Sequence, residues 1–345
     1  MVRVAINGYG RIGRVAHRIA LQKQQGDIEI VAINAGSSTD LLGWLYLLKY
    51  DSVYGPLSLP LSHKDAKEGE SENLLGHFII NGKEVPVYSQ KDPSLLPWKE
   101  LEVDVVIEST GHFLKKEDLE LHLTAGAKAV VLSAPSKGEG VETFVLSVNE
   151  DSYKGEKIIS NASCTTNCIA PVAKVMSDTF GIEKAMMTTI HGYTSDQRLH
   201  DGGHKDYRRA RNAGVNIIPT STGATEAASK ALPELSGKFK GLAVRVPVPV
   251  GSLADFTFLL SRATTIEEVN TALKRAAGSP AFRGILEASE DPLVSSDIIG
   301  NSHSSIVDLS LTQVVGGTMV KVVAWYDNEY GYASRLLDEV LMVAS

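Results

Sequence analysis

The run Asn7-Gly8-Tyr9-Gly10-Arg11-Ile12-Gly13 decides the fold of the first half of this chain. It has the spacing G-x-G-x-x-G, and it lies between a strand predicted at residues 2–6 and a helix predicted at residues 12–25. The first glycine permits a tight turn, the second lets backbone approach a pyrophosphate, and the third lets helix and strand pack closely. Such a run also occurs in turns that bind nothing, but its strand–turn–helix setting and the free N–H groups of the helix favour a dinucleotide site.

Strands and helices continue to alternate after this run. Further strands are predicted at residues 29–34, 103–107 and 129–132, with helices at 39–50 and 115–125. The cluster Ser37-Ser38-Thr39-Asp40 supplies a cap for the first of these helices. This rhythm predicts an α/β fold with a mostly parallel sheet, a Rossmann-type dinucleotide-binding domain. Residues 78–87, with Asn81-Gly82 at their centre, are predicted to form a β-hairpin.

The pattern changes near Ser163, and a length of 345 residues also favours two domains with separate cores. Strands are predicted at residues 185–191, 242–249, 254–261, 305–308 and 319–326, and helices at 224–232, 265–277 and 331–344. We therefore expect the second domain to be α+β, with a mainly antiparallel sheet.

Composition excludes several classes of protein. The net charge is -7 and no run of Lys and Arg occurs, so we expect no nucleic acid as the main partner. The two cysteines form no disulfide framework and suit a reducing compartment. No apolar stretch is long enough to span a bilayer, and Arg3 follows Met1 too closely for a signal peptide. The sequence predicts a cytoplasmic protein without a membrane partner.

The residues after the second strand bear on the choice of dinucleotide. An NAD site usually has Asp or Glu there, roughly 20 residues past the glycines, to hold the ribose 2′-OH. This chain instead has Asn34-Ala35-Gly36-Ser37-Ser38, and Asp40 is interpreted as a helix cap. We expect Asn34, Ala35, Ser37 and Ser38 to line the cofactor, and NADP use to be favoured over strict NAD use. The alternative is that Ala35 only packs, with NAD bound through other contacts.

Cys164 is the candidate nucleophile. It lies in the run Ser160-Asn161-Ala162-Ser163-Cys164-Thr165-Thr166-Asn167-Cys168, between a short strand and a helix. The helix N-terminus is expected to lower the pKa of its thiol. A cysteine is commonly a small buried hydrophobe, but this hydroxyl-rich setting favours a reactive thiol, with Cys168 as the inert one. Two cysteines without a matching set of ligands predict no metal site.

His191, at the end of the strand Met187-Thr188-Thr189-Ile190, is the candidate base. His63, His77 and His122 are set aside as surface residues. The alternative for His191 is a strand-end histidine bonded to backbone, and the sequence leaves open whether it meets Cys164.

Five segments together resemble phosphorylating glyceraldehyde-3-phosphate dehydrogenase: residues 7–14, 160–171, 188–197, 219–224 and 325–332. The most specific are the run around Cys164 and the run Trp325-Tyr326-Asp327-Asn328-Glu329, and the likeness covers almost the whole chain. The resemblance implies that Cys164 attacks the aldehyde of glyceraldehyde 3-phosphate and that His191 acts as its base. Hydride then passes to NAD or NADP, and inorganic phosphate releases 1,3-bisphosphoglycerate.

The resemblance also implies the remaining site residues. The substrate phosphate would be held by Thr194 and Arg245, and the attacking phosphate by Ser163, Thr165, Thr222 and Gly223, with Arg209 nearby. The dinucleotide would meet Gly8, Gly10, Arg11, Ile12, Gly13, Thr110, Ser133 and Asn328, with Asn328 on the nicotinamide carboxamide. Two of these phosphate ligands have alternative interpretations: Arg245 as a charged residue on a surface strand, and Thr222 as a turn residue.

Members of this family are homotetramers, in which the loop around residues 196–211 reaches toward a neighbour's cofactor. Their last helix packs on the first domain. The resemblance therefore implies a dinucleotide-binding domain of residues 1–163 and 328–345, and a catalytic and oligomerisation domain of residues 164–327.

Two departures from the family pattern concern the cofactor. NAD-specific members carry Asp at the position of Ala35, and commonly a Leu-Pro pair where Asp201-Gly202-Gly203-His204 stands here. The loss of a charge and of bulk both favour NADP or dual use, and hence the reductive direction, as in gluconeogenesis or carbon fixation.

Two rival functions remain open. Erythrose-4-phosphate dehydrogenase shares the cysteine and histidine but hydrolyses its thioester, and Thr222-Gly223 favours the phosphorylating reaction. A non-catalytic binding protein on the same fold is disfavoured by the intact set of Cys164, His191 and Arg245.

Overall fold

The computed structural model describes residues 1–23 and 26–345, which divide into two compact units. The first unit comprises Met1–Thr143, Tyr153–Ala162 and Ala333–Ser345. The second comprises Phe144–Ser152 and Ser163–Tyr332. The domain boundaries given above, with their functional names, stay a prediction. Among the described residues, no helix is long and apolar enough to cross a membrane.

The first unit is built on nine strands. They are β1 (Val2–Asn7), β2 (Ile28–Asn34), β3 (Leu61–Asp65), β4 (Leu74–Ile80), β5 (Lys83–Tyr88), β6 (Val105–Glu108), β7 (Ala129–Leu132), β8 (Glu142–Thr143) and β9 (Ile158–Ser160). Three helices accompany them: α1 (Arg11–Gln22), α2 (Leu41–Lys49) and α3 (Lys116–Thr124).

These strands form one sheet in the order β3-β4-β5-β2-β1-β6-β7-β9-β8. Strand β1 pairs in parallel with β2 on one side and β6 on the other, so the chain order reverses direction at β1. Ligands of open α/β sheets bind outside the carboxyl ends of the strands at such a point. The loops after β1, β2, β6 and β7 therefore share the edge where a dinucleotide is expected.

Most elements predicted in this half are confirmed. The hairpin of β4 and β5 turns at Asn81 and Gly82, which both have positive φ (49° and 82°), as a two-residue turn of this kind requires. Helix α2 begins at Leu41, two residues later than predicted, because the side chain of Asp40 caps it by accepting from the N–H of Gly43. Helix α1 ends at Gln22, and the last two residues of its predicted range, Gln24 and Gln25, lie outside the described residues.

The second unit contains α4 (Cys164–Phe180), β10 (Ile182–Gly192), β11 (Ile218–Ser221), α5 (Ala224–Ala231), β12 (Phe239–Val246), β13 (Ser252–Leu260), α6 (Ile266–Ala277), β14 (Leu286–Ser289), β15 (Ser305–Asp308), β16 (Gln313–Val315) and β17 (Met319–Tyr326). The last helix, α7 (Tyr330–Ala344), begins there and continues into Ala333–Ser345 of the first unit.

The sheet of the second unit runs β11-β12-β10-β13-β17-β15-β14, with β16 on β17. The pairs β10–β12 and β14–β15 are parallel and the others antiparallel. The predicted mainly antiparallel α+β fold is confirmed. Helices α4, α5 and α6 contribute to its core, which includes Ile169, Met176, Ala228, Phe256 and Leu273.

One strand is displaced from its prediction by three residues at both ends. The strand predicted at residues 242–249 is β12, which spans Phe239–Val246. Pro247 and Pro249 have no N–H to donate to a ladder, so the strand ends before them and begins earlier.

Candidate active site

Cys164 is the first residue of α4, which is capped by the side chain of Ser163 through the N–H of Thr166 at 3.1 Å. The cap fixes the entry of the chain into the helix and leaves the thiol on its first turn. The Cys164 side chain is partly accessible, whereas Cys168, one turn later, is fully buried. The two cysteines therefore occupy different environments, as predicted.

Two neighbouring strands bring a base and a cation to this thiol. His191 on β10 is paired in register with Arg245 on the parallel strand β12. The Nε2 atom of His191 lies 3.4 Å from Sγ of Cys164. On the other side of the ring, Nδ1 lies 2.6 Å from the carbonyl oxygen of Gly192 and 2.7 Å from Nη1 of Arg245. The three side chains thus form one cluster, and His191 is itself buried.

The contacts of Nδ1 allow two tautomers of His191. If Nδ1 donates to the Gly192 carbonyl, Nε2 has a lone pair ready to take the thiol proton. If Arg245 donates to Nδ1 instead, the proton lies on Nε2 and can support a thiolate. Arg245 also reaches the Gly192 carbonyl, at 3.1 Å, so the guanidinium has an acceptor in either case. The same imidazole can therefore accept a proton from sulfur or stabilise the thiolate.

Burial dominates the electrostatics of this cluster. It raises the pKa of the Cys164 thiol above its usual value and outweighs the opposing effects of Arg245 and Thr165. The prediction of a lowered pKa for Cys164 is therefore wrong for this structure. Desolvation destabilises the thiolate more than Arg245 and Thr165 stabilise it. Burial and Arg245 lower the pKa of His191 to about 3, so the imidazole is neutral at physiological pH.

Tyr326 is a buried residue of the cluster, with no role predicted from the sequence. Its hydroxyl lies 2.9 Å from Oγ1 of Thr165 on α4 and 2.8 Å from Oγ1 of Thr189 on β10. Its ring meets that of His191 edge-on, with centroids 5.8 Å apart. Tyr326 thus ties the nucleophile's helix to the base's strand. Its place in the run Trp325-Tyr326-Asp327-Asn328-Glu329 was the only sequence signal for it.

Groups suited to anions surround the start of α4. The hydroxyl of Thr166 lies 3.4 Å from the carbonyl oxygen of Ala224, so the N-termini of α4 and α5 are adjacent. This brings Ser163 and Thr165 near Thr222 and Gly223, which precede α5. Two helix N-termini and several hydroxyls make a suitable setting for a phosphate.

The other predicted phosphate ligands have partners within the protein. Arg209 donates to the Ser221 carbonyl at 3.0 Å, next to Thr222 in the chain, but it also forms an ion pair with Asp196. Thr194, in the turn after β10, donates to Oε1 of Gln197 at 3.3 Å. Arg245 lies beside Gly192, two residues before Thr194, and its Nε is buried without a partner among the described residues.

The glycines after β1 form the cradle expected for a dinucleotide. Gly8 has φ 96°, and a Cβ there would lie 2.5 Å from the backbone nitrogen of Thr110. A Cβ on Gly13 would collide with the carbonyl of Gly8, whereas one on Gly10 would meet nothing within 4 Å. Gly10, the N-cap residue of α1, has no side chain that could cap the helix. The cradle fits a pyrophosphate.

The other predicted cofactor residues lie along the same sheet edge. Asn34 ends β2, Thr110 follows β6 and Ser133 follows β7, with its N–H donating to the Glu108 carbonyl at 2.9 Å. Arg11 forms an ion pair with Asp51 at 2.6 Å. After β2, Ala35 is half-buried and Ser37 is exposed. The hydroxyl of Ser38 accepts from the Trp44 indole at 2.8 Å.

Asn328 belongs to the second unit, after β17. Its carbonyl oxygen accepts from the N–H of Gly251 at 3.1 Å and from the hydroxyl of Ser252 at 2.9 Å. These two bonds fix the orientation of its amide.

The histidines set aside above divide three ways. His63 is exposed and His77 half-buried, but His122 is fully buried. The assignment of His122 to the surface is wrong, because its ring packs on Trp98 and bonds to Glu108. Within residues 1–23 and 26–345, no group of three or more His, Cys, Asp or Glu could hold a metal ion.

Two family models match this chain. Residues 2–116 match "Glyceraldehyde 3-phosphate dehydrogenase, NAD binding domain", and residues 163–328 match "Glyceraldehyde 3-phosphate dehydrogenase, C-terminal domain". The chain belongs to the glyceraldehyde-3-phosphate dehydrogenase family. The predicted fold class and the predicted enzyme class are confirmed, as is a nicotinamide dinucleotide as cofactor.

Full-length relatives agree with this family. Glyceraldehyde-3-phosphate dehydrogenase of Geobacillus stearothermophilus is 51% identical over 346 residues, covering 100% of this chain and 98% of the relative. Glyceraldehyde-3-phosphate dehydrogenase 2 of Trichormus variabilis is also 51% identical, covering 100% and 99%. Glyceraldehyde-3-phosphate dehydrogenase 1 of Bacillus subtilis is 50% identical, covering 99% and 98%.

Proposed function

We propose that this chain catalyses the phosphate-dependent oxidation of glyceraldehyde 3-phosphate to 1,3-bisphosphoglycerate, and the reverse reduction, through a thioester on Cys164. The distance of 3.4 Å between Sγ of Cys164 and Nε2 of His191, in a chain of this family, carries the proposal. Nucleophile and base at hydrogen-bond reach, with the base oriented from behind, is the arrangement that covalent catalysis needs.

Proton transfer between Cys164 and His191 starts the reaction. Because the pKa of the thiol is raised and that of His191 is lowered, the resting pair is neutral. Sγ attacks the aldehyde carbon as Nε2 takes the thiol proton and passes it to the carbonyl oxygen, which gives a hemithioacetal. Nε2 then takes the hydroxyl proton back while the C–H hydride leaves, and the product is a thioester. Attack by inorganic phosphate expels the Cys164 thiolate and forms the acyl phosphate.

Two anion sites serve the substrate phosphate and the attacking phosphate. Thr194 and Arg245 hold the former, beside the base. Ser163, Thr165, Thr222 and Gly223 hold the latter at the paired N-termini of α4 and α5, with Arg209 nearby. Hydroxyls, backbone N–H groups and guanidinium forks are suitable donors for phosphate oxygens. The Nε atom of Arg245, which is buried and has no partner in the described part of the chain, supports its role as an anion ligand.

Residues of the first unit hold the adenosine diphosphate part of the cofactor. Gly8, Gly10, Gly13, Arg11 and Ile12 surround the pyrophosphate, while Asn34, Ala35, Ser37, Ser38, Thr110 and Ser133 line the sheet edge beside it. Asn328 donates its amide N–H to the nicotinamide carboxamide, since its oxygen is engaged by Gly251 and Ser252. When bound, the nicotinamide ring accepts the hydride.

The cofactor is NADP, or NADP and NAD alike. Ala35 puts no carboxylate after β2 to repel a 2′-phosphate, and the exposed Ser37 can donate to one. Ser38 is a weaker candidate, since its oxygen already accepts from Trp44. The chain assembles as a cytoplasmic homotetramer, in which Gly202 and Gly203 leave room for the 2′-phosphate of a neighbour's cofactor. Its dinucleotide-binding domain comprises residues 1–163 and 328–345, and its catalytic and oligomerisation domain residues 164–327.

Initial rates on glyceraldehyde 3-phosphate and on erythrose 4-phosphate test the proposal, each measured with NAD or NADP and with or without phosphate. We expect turnover of glyceraldehyde 3-phosphate that requires phosphate and is at least as efficient with NADP as with NAD. Phosphate-dependent turnover with NAD alone would reject only the cofactor preference. Turnover of erythrose 4-phosphate without a phosphate requirement would favour the hydrolytic rival.

A further inference from the structure

A carboxylate is fully buried beneath the cofactor edge of the first unit. Glu108, the last residue of β6, has no exposed surface, and neither do its neighbours Asn7, His122 and Trp98. Burying a charged group is unfavourable unless hydrogen bonds from the protein replace those that it made with water. A group this costly at the edge of a binding site calls for a function.

Four donors surround this carboxylate, one for each of its lone pairs. Oε1 accepts from the backbone N–H of Thr110 at 2.8 Å and from the Thr110 hydroxyl at 2.5 Å. Oε2 accepts from Nδ2 of Asn7 at 2.5 Å and from Nε2 of His122 at 3.1 Å. Hydrogen bonds to a charged acceptor are roughly twice as strong as neutral ones, so Glu108 constrains every group it contacts.

Trp98 fixes the tautomer of His122 from behind. The indole Nε1 can only donate, and it lies 3.0 Å from Nδ1 of His122. Nδ1 must therefore be the acceptor, and the proton of the neutral ring lies on Nε2, facing Glu108. His122 thus serves as a donor to the carboxylate.

The orientation imposed by Glu108 continues across three strands. Because Nδ2 of Asn7 donates to Glu108, its Oδ1 faces the other way and accepts from Nδ2 of Asn34 at 2.6 Å. The second hydrogen of that amide goes to the Gln90 carbonyl at 2.8 Å, while Oδ1 of Asn34 accepts from the Gln90 N–H at 3.0 Å. Glu108 and the Gln90 backbone therefore fix the side-chain amides of Asn7 and Asn34 from the two ends of one hydrogen-bonded chain.

We propose that Glu108 is a positioning residue for the adenosine diphosphate half of the cofactor, acting through Thr110 and through the Asn7–Asn34 amide chain. These groups end β6, β1 and β2, beside the glycine cradle, and Thr110 is the partly exposed one among them. The inference rests on the proposed dinucleotide site. It predicts that Glu108 affects cofactor affinity and leaves the chemical step unchanged.

Glu108→Gln tests this role. It keeps the shape of the side chain but replaces one accepting oxygen by an NH2 group, which would face a hydrogen-bond donor. We expect the Kd of both NAD and ADP-ribose, measured by calorimetry, to rise by about tenfold or more. The kcat at saturating cofactor should stay within about twofold of wild type. Equal losses for the two ligands would place the effect in the adenosine diphosphate half.

Asp104→Asn is the matched control. Asp104 precedes β6 and holds the N–H of Arg3 and the ammonium of Lys128, so the same change is made at the opposite end of the same strand. Thermal unfolding of both variants measures the purely structural cost. We expect Asp104→Asn to leave both Kd values unchanged. If both variants lower Tm, the loss of stability by itself does not explain the weaker cofactor binding of Glu108→Gln.

Trp98→Phe provides a second route to the same group, because it removes the donor that fixes His122. We expect a smaller rise in both Kd values, again at unchanged kcat. A folded Glu108→Gln that binds ADP-ribose like wild type would overturn the proposal. If Glu108→Gln does not fold, an unchanged ADP-ribose Kd in Trp98→Phe would overturn it. ADP-ribose binding needs no turnover, so a failure of the proposed substrate would be distinguishable from a failure of this inference.

Discussion

His191 and Arg245 are directly opposite each other on the parallel strands β10 and β12, and Nη1 of Arg245 lies 2.7 Å from Nδ1 of His191. A guanidinium beside an imidazole discourages protonation of the ring, and burial acts in the same direction. The base is therefore kept neutral, with its other nitrogen against Cys164. This relationship makes a proton acceptor of His191 and leads to the first two predictions.

The wild-type enzyme should retain its base at acidic pH. Since the pKa of His191 is about 3, the neutral ring persists as pH falls from about 8 to about 5, and kcat/KM should show no loss from protonation of His191 in that range. His191→Asn should lower kcat by about 10²–10⁴-fold at every pH. An acidic limb near pH 6.5 that disappears in His191→Asn would contradict this account.

Alkylation of the cofactor-free enzyme should follow the raised pKa of Cys164. The rate of iodoacetamide labelling at Cys164 should keep rising with pH up to and beyond about pH 9, because the thiolate fraction grows through a pKa above the usual value. Arg245→Leu removes a charge that lowers this pKa and should slow labelling at any one pH. Cys168, whose pKa burial raises to about 12, should stay unlabelled. A Cys164 rate already at its plateau at neutral pH would refute the prediction.

Tyr326→Phe should weaken phosphate binding more than cofactor binding. It deprives Thr165 and Thr189 of a shared partner, at a cost of about 1–2 kcal/mol in stability. The freed Thr165 is a proposed ligand of the attacking phosphate, so the KM for phosphate should rise severalfold. Thr189→Val removes the other bond and leaves Thr165 paired, so it is the matched control. Equal KM values for phosphate in the two variants would count against the role of Thr165.

Ala35→Asp should convert the cofactor preference. A carboxylate after β2 repels a 2′-phosphate and can accept from a ribose 2′-OH, so kcat/KM for NADP should fall at least about tenfold while that for NAD is kept or improved. Ala35→Asn adds the same bulk without the charge and separates crowding from repulsion. If both variants lower NADP use equally, the charge argument fails.

Local signals in the sequence were sufficient for much of the fold. The hairpin at Asn81-Gly82 was predictable because the turn needs positive φ at both residues. The start of α6 was predictable because Thr265 caps the helix. The shift of β12 shows where alternation misleads, since Pro247 and Pro249 continue the pattern but cannot continue the ladder. Helix starts depend on which of several adjacent cap residues is used, as at Asp40.

The site was predictable in its residues and less so in its electrostatics. Cys164 at a helix start and His191 at a strand end are sequence features, whereas their distance depends on strand register. The raised pKa of Cys164 depends on enclosure by residues distant in sequence, and so do the buried positions of His122 and Tyr326. Ala162, with φ 52°, likewise adopts a left-handed conformation that is uncommon for alanine and that the sequence does not predict.

The most direct test of the central claim is a single turnover without phosphate, followed by mass spectrometry of the peptide that contains Cys164. With glyceraldehyde 3-phosphate and oxidised cofactor, we predict a phosphoglyceroyl adduct on Cys164 that disappears when phosphate is added, with release of 1,3-bisphosphoglycerate. Cys164→Ser should form no thioester, and Cys168→Ala should behave as wild type. Reduced cofactor produced at full rate with no adduct on Cys164, or with an adduct that phosphate does not remove, would contradict the account.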